Sequence, residues 1–151
     1  MDDHRKTSLE QITALFDSQQ LAVLSTQKND QPYASLVAFA ASEDLEQILF
    51  LTPNTTRKYE HLTINPKVAI LVNNSRNQAE DIYNAISVTG TGTASVVEKS
   101  DPRNFLGVFL KKHPHLKGFS SAPTTALVCV TMNRYFMVNQ FQNVVELGMM
   151  P

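Results

Sequence analysis

The sequence predicts a mainly β domain of the α+β class, an antiparallel β-barrel with two or three helices packed around it. Three observations lead there. Six or seven short apolar runs are separated by short polar connections, the pattern of an antiparallel meander. The longest run carries two interior glycines, Gly90 and Gly92, which commonly mark a bulge or a sharp bend in a closing sheet. The chain of 151 residues, 42% of them hydrophobic, makes a single domain, residues 1–151, with enough apolar side chain to fill a core.

Taken in order, Thr7-Ser8-Leu9-Glu10 fits a capping box, and Leu9, Ile12, Leu15 and Phe16 fall on one face of the amphipathic helix that follows. Residues 21–26 and 33–41 read as a hairpin joined by a polar turn over residues 27–32. A second polar connection, residues 42–46, leads into a strand at 47–52, and its charges Glu43, Asp44 and Glu46 read as solvated. Residues 67–72 form a nearly continuous apolar strand, residues 73–78 an amide-rich loop, and residues 86–97 the strand with the glycines. Ser100-Asp101-Pro102 is expected to open another helix with Pro102 at its first position. In that helix Phe105 and Phe109, like Leu106 and Leu110, lie four apart, and Lys111, Lys112 and His113 occupy the last turn, where cations are favoured. Two final strands, 126–132 and 135–138, are expected to meet at Asn133-Arg134, with residues 140–147 closing the chain.

Composition removes several function classes. Thirteen Lys plus Arg against fourteen Asp plus Glu give a formal net charge of −1, so no global field draws the protein to nucleic acid or an anionic membrane. No apolar run approaches the roughly 20 residues that span a bilayer. Met1-Asp2-Asp3-His4-Arg5-Lys6 is not followed by a signal-peptide apolar region, so a cytoplasmic location is expected. The single cysteine, Cys129, sits in an apolar run and reads as a buried strand residue. His4, His61, His113 and His115 share no metal-ligand spacing with cysteine or carboxylate, so no metal site is expected, and His61 reads as a partly exposed helix residue. With five glycines the chain shows no phosphate-cradling loop, dinucleotide fingerprint or nucleophile elbow. No residue is identifiable as a catalytic acid or base, so an enzyme of this sequence would draw its reactivity from a cofactor.

The stretch that points to chemistry is Leu51-Thr52-Pro53-Asn54-Thr55-Thr56-Arg57-Lys58. An apolar strand ends there at a proline, and Thr55 or Thr56 can cap a short helix that Asn65-Pro66 stops. The first turn of a helix favours acidic residues by about 0.3–1 kcal/mol each. Here it carries Arg57 and Lys58, an arrangement that suits a phosphate or similar dianion among two cations and two hydroxyls.

The order of these features resembles the FMN-binding split β-barrel family of pyridoxamine 5′-phosphate oxidase over roughly residues 21–97. The resemblance rests on Gln31-Pro32-Tyr33-Ala34-Ser35-Leu36-Val37-Ala38-Phe39, Leu51-Thr52-Pro53, Thr56-Arg57-Lys58, Asn65-Pro66 and Val88-Thr89-Gly90. It implies an antiparallel split β-barrel in which Arg57 and Lys58 bind the FMN phosphate with help from Thr52. Ser35, Leu36, Val37 and Ala38 would lie along the flavin, largely through backbone groups, and Asn74 and Asn77 would reach its imide edge. The resemblance further implies a homodimer with FMN at the interface.

The chain also departs from the oxidase. Ser35 and Ala40 stand where the oxidase has an arginine and a lysine, Ala85 where it has a glutamine, and Tyr135-Phe136-Met137-Val138 where it has an Arg-x-His pattern. These differences argue against vitamin B6 oxidation and for likeness to the short bacterial members of the superfamily. The expected function is a flavin-dependent oxidoreductase with an unassigned substrate. The alternative is a non-catalytic module holding haem, the deazaflavin F420 or another flavin-like ligand, where haem would call for an axial ligand such as His61 or His113.

Overall fold

In the computed structural model, residues 3–139 and 143–149 are described, and the chain runs α1 (Asp3–Ser18), β1 (Leu21–Lys28), β2 (Gln31–Ala41), β3 (Gln47–Pro53), α2 (Arg57–Ile64), β4 (Lys67–Asn73), α3 (Asp81–Asn84), β5 (Ser87–Val97), α4 (Phe105–Lys112), α5 (Lys117–Ser121), β6 (Thr125–Asn139) and β7 (Asn143–Gly148). Gln140, Phe141 and Gln142, expected to begin the closing segment, lie outside the described residues. The strands form one sheet in the order β3-β2-β1-β4-β5-β6-β7, and a further β3–β6 pairing closes six of them into a barrel with β7 on the β6 edge. Every pairing is antiparallel.

Strand alternation explains where the core sits. Ala22, Leu24 and Thr26 of β1, with Val68, Ile70 and Val72 of β4, turn inward and are buried. Ile12, Leu15 and Phe16 of α1 and Leu62 of α2 join the same inner core. α1 reaches it near the end of β2, where Phe16 meets Phe39 edge-to-face at 5.5 Å and Tyr135 at 5.8 Å. α4 covers the outside of β2, β3 and β6 instead, with Phe105 and Phe109 against Ala40, Leu49, Leu51 and Leu127. Burying each of these phenylalanines contributes about 1.5–3 kcal/mol, and Cys129 lies in this second core as a buried thiol.

Several boundaries differ from expectation for identifiable reasons. α1 begins at Asp3, a turn before the anticipated capping box; Ser8 is buried, and Arg5 Nη2 donates to the Gly148 carbonyl at 3.1 Å, tying the added turn to β7. The six-residue polar turn contracts to Asn29-Asp30, both with positive φ (52° and 64°), the geometry that matches the twist of a two-residue hairpin. Asp101-Pro102 does not open α4. The Asp101 carboxylate accepts from the backbone and side chain of Arg103, which pulls its pKa down to about 2, and the helix is preceded by Asn104 in left-handed conformation.

The two last strands are one, β6, because Asn133 is the extra residue of a bulge: Thr91 pairs with Arg134 and Gly92 with Met132. α3, α5 and a 3₁₀ turn at Pro114–Leu116 are short pieces that the periodicity did not predict, bringing the helices of the described residues to five. His113 is not a solvated cation at a helix end. It is 1% exposed, its Nε2 bonds the Phe39 carbonyl at 2.8 Å, and burial holds its pKa below the usual imidazole value. Beside it Lys112 donates to the Phe16 carbonyl at 2.9 Å and lies 3.8 Å from the Phe39 ring centroid, and burial lowers its pKa to about 8.

Candidate functional site

The barrel is open on one side of β2. β1 pairs with β2 from Leu21↔Ala38 to Lys28↔Gln31, whereas β3 pairs with it only at Phe39↔Phe50, Ala40↔Leu49 and Ala41↔Ile48. Beyond Phe50 the rest of β3 is held by β6 alone, out to Pro53↔Thr125, and the chain then turns into α2. The half of β2 that holds Ser35, Leu36, Val37 and Ala38 therefore has no strand on that edge. Phe39 N–H donates to the Gln20 carbonyl, so ladder alternation turns the N–H and C=O groups of Leu36 and Ala38 away from β1, toward the gap. Ser35 Oγ is buried with no hydrogen-bond partner among the described residues. A buried hydroxyl left unpaired costs about 1–3 kcal/mol, a cost that a ligand's polar group or a bound water would relieve.

β3 leads past its last pairing with β6 into the start of α2, a helix that meets β2 where His61 packs on Tyr33. Thr56 is the helix N-cap and accepts from Tyr59 N–H at 3.3 Å. Thr52 and Thr56 hydroxyls lie 2.7 Å apart and each lies 3.1 Å from the Pro53 carbonyl, so one donates to the carbonyl and the other to its neighbour. Thr52 is 1% exposed; its hydroxyl is spent on fixing this cap, which in turn aims the helix. Arg57 is exposed and Lys58 half-buried, and neither makes a hydrogen bond or ion pair among the described residues. Glu60, one turn on, is held by Lys28, whose ammonium lowers the carboxyl pKa.

His61 is buried rather than partly exposed. Its Nδ1 lies 3.0 Å from Thr26 Oγ1 and its ring packs edge-on against Tyr33 at 5.3 Å. Together with Arg57, Glu60, Lys28, Asn29 and Gln31 it lines a cavity of about 400 Å³ between α2 and the β1–β2 turn. The signal for this in the sequence is the four-residue spacing of Arg57 and His61, which places both on one helix face.

Asn74 and Asn77 are not brought to this gap within one chain. They follow β4, where Asn74 Oδ1 accepts from Ile86 N–H at 2.8 Å and Asn77 adopts a positive φ of 59°. Asn74 lines a separate cavity of about 400 Å³ with Gln19, Arg76, Gln78, Glu80 and Asp81. Between the two regions lies an uncovered outer face. The cross-strand row Leu36↔Val23↔Leu71↔Thr89↔Phe136 runs over five strands, and Leu21, Leu36 and Leu71 are 51%, 63% and 36% exposed. Next to it Ser25, Ala69 and Thr91 leave a groove of about 480 Å³.

The residues present fit a phosphorylated flavin. Two uncommitted cations at a helix start suit a phosphate monoester, and the open amides of Leu36 and Ala38 with the unpaired Ser35 hydroxyl suit a polar chain or ring edge. Among the described residues no three His, Cys, Asp or Glu side chains converge as metal ligands, and no helix is long and apolar enough to cross a membrane.

Solved structures share this architecture. A haem-binding protein from Mycobacterium smegmatis superposes with a TM-score of 0.81 at 14% identity, covering 93% of this chain, which spans 57% of that protein. The General Stress Protein 26 of Bacillus anthracis gives 0.67 at 21% identity over 93% of this chain and 98% of its own. HutZ, a haem-storage protein from Vibrio cholerae, gives 0.67 at 20% identity over 83% and 90%. At these identities the likeness is one of fold. No curated protein matches the sequence significantly. The sequence pattern of the family described as pyridoxamine 5′-phosphate oxidase matches residues 8–139, which takes in the split barrel, the open β2 edge and the Arg57-Lys58 helix start; the chain belongs to that family.

Proposed function

We propose that the protein is an FMN-binding, flavin-dependent oxidoreductase acting as a homodimer, with its substrate unassigned. The observation that carries this reading is the open edge of β2 in a barrel whose adjoining helix α2 starts with Arg57 and Lys58, neither hydrogen-bonded nor ion-paired among the described residues. In it Arg57 and Lys58 neutralise the FMN phosphate, the Thr52–Thr56 hydroxyl pair holds the helix start in place, and the amides of Leu36 and Ala38 bond the ligand along β2. Ser35 supplies a hydroxyl to the same ligand and Val37 packs inward to keep the strand in register. The bound flavin supplies hydride transfer, while the chain binds, orients and desolvates it.

The apolar row through Leu36, Val23 and Leu71 is the dimer face of this proposal. Contiguous exposed apolar surface of this kind is a recognised mark of an interface. In such a dimer the loop holding Asn74 and Asn77 comes to the flavin from the second copy, which accounts for its separation from Arg57 within one chain.

A second reading, a haem-holding module on the same barrel, is favoured by two of the structural neighbours, which are named as haem-binding and haem-storage proteins. Against it, His113 is buried with Nε2 bonded to Phe39 O, which leaves His61, held through Nδ1 by Thr26, as the one candidate axial ligand with its Nε2 unbonded among the described residues. Titrating the purified protein separately with FMN and with haemin decides between them. The flavin reading predicts saturable quenching of FMN fluorescence at one per chain; a Soret shift saturating with haemin and no quenching of FMN would replace it.

A further inference from the structure

We propose that His61 is a third anion-holding group of the site, donating a hydrogen bond from Nε2 to the ligand's phosphate while Thr26 and Tyr33 fix its ring. The inference rests on the phosphate-binding reading of Arg57 and Lys58 and adds a residue that the family resemblance does not place there. A buried helix histidine bonded to a neighbouring strand is ordinarily a packing residue, and three observations take His61 beyond that. The residue is 9% exposed, and Nε2, which bonds no described residue, is not sealed in the core but reaches solvent at the cavity. The ring lines the same cavity of about 400 Å³ as Arg57, which precedes it by one turn on the same face of α2. The other nitrogen is already committed, because Nδ1 lies 3.0 Å from Thr26 Oγ1 and the Tyr33 ring packs edge-on at 5.3 Å.

When the Thr26 hydroxyl donates to Nδ1, the neutral ring carries its proton on Nε2, at the cavity. The charged and titratable groups that face the ring are Arg57 and Glu60 on its own helix, Lys28 at the end of β1 and Tyr33 on β2, and Lys28 holds the Glu60 carboxylate. Lys28 thus pairs the acid of the cavity, which Arg57 and His61 also attract through space, and the N–H donors of Arg57 and His61 bond no described residue. That is a cradle for a phosphate monoester rather than for a cation.

The test uses the full chain with FMN and riboflavin as paired probes, the two differing by the phosphate. His61→Phe keeps the aromatic packing on Tyr33 and removes both nitrogens; His61→Gln puts an amide donor near the Nε2 position. The expected result is FMN affinity reduced about tenfold or more in His61→Phe, restored to within a few-fold in His61→Gln, and riboflavin affinity unchanged in both. Equal loss of FMN and riboflavin, or no loss in His61→Phe, overturns the inference. A titration of ¹⁵N-histidine-labelled protein with inorganic phosphate separates this inference from the flavin reading. If wild type refuses FMN but phosphate shifts the His61 resonances saturably, the flavin reading falls and the histidine assignment stands. If FMN binds and phosphate leaves those resonances unmoved, the histidine assignment falls alone.

Discussion

Reversing both charges at the start of α2, with Arg57→Glu and Lys58→Glu together, separates a ligand role from a structural one because the two roles predict opposite changes in stability. Neither side chain makes a hydrogen bond or ion pair among the described residues, Arg57 acting on Glu60 only through space, so each is available for a charge-assisted hydrogen bond to phosphate, worth about 1.5–3 kcal/mol. Losing two removes about 3–6 kcal/mol, a loss of about 10²- to 10⁴-fold in affinity before the new repulsion is counted. For the ligand-free fold the sign reverses. Two glutamates in the first turn of a helix contribute about 0.3–1 kcal/mol each, against about 0.2–0.5 kcal/mol of repulsion between Glu at position 57 and Glu60 three residues on. The ligand-free variant should therefore melt at the same temperature as wild type or a few degrees higher, at about 2–4 °C per kcal/mol for a domain of this size. FMN fluorescence quenching and a thermal melt of the ligand-free protein make the comparison. Undiminished FMN affinity refutes the anion site, and a melting temperature lowered by several degrees refutes the claim that the pair has no structural task.

Three other outcomes are expected. A Cβ at Gly92 would lie 2.5 Å from the Thr131 carbonyl oxygen and 2.8 Å from Val130 Cγ1, so Gly92→Ala should cost about 1–3 kcal/mol in chemical denaturation; an unchanged midpoint would contradict the close approach at the β5–β6 bulge. His113 is held neutral by burial, so the unfolded chain takes up its proton first: stability is greatest above about pH 6.5 and is lost as pH falls from there toward the depressed native value. His113→Gln keeps a donor for the Phe39 carbonyl and should flatten that loss, read as melting temperature against pH for both proteins; identical profiles would remove His113 as the cause. If the proposed dimer forms, Leu36→Asp, on the exposed row outside the barrel, should turn it into a folded monomer in analytical ultracentrifugation, and a variant that stays dimeric places the interface elsewhere.

The meander was legible because each strand is a short apolar or alternating run bounded by polar connections, and Gly90 and Gly92 announced the irregularity that appears between Thr91 and Gly92. Boundaries were misread where a polar residue serves a turn other than the nearest one. Asn29-Asp30 closes a two-residue hairpin that let the strands run through Gln27 and Pro32, and Asp101 clamps Arg103 instead of starting α4. Asn133-Arg134 looked like a chain reversal because a bulge and a turn share polar residues, and only pairing to β5 distinguishes them.

At the site, Thr56-Arg57-Lys58 was visible as a local conflict, cations where acids are preferred. The open β2 edge was not, since it depends on where β3 stops pairing, three residues into the ladder. The burial of His61 and His113 was hidden for the same reason: Thr26 and Tyr33, which enclose the one, and Phe39, which holds the other, are distant in sequence and on other elements.

Whether the barrel's open edge holds FMN is read from the visible absorption spectrum of the purified protein, followed by heat release and identification of the chromophore. Flavin absorption is expected, with FMN released at about one per chain, or the same spectrum after added FMN and desalting. A colourless protein that fails to retain added FMN would contradict the flavin reading.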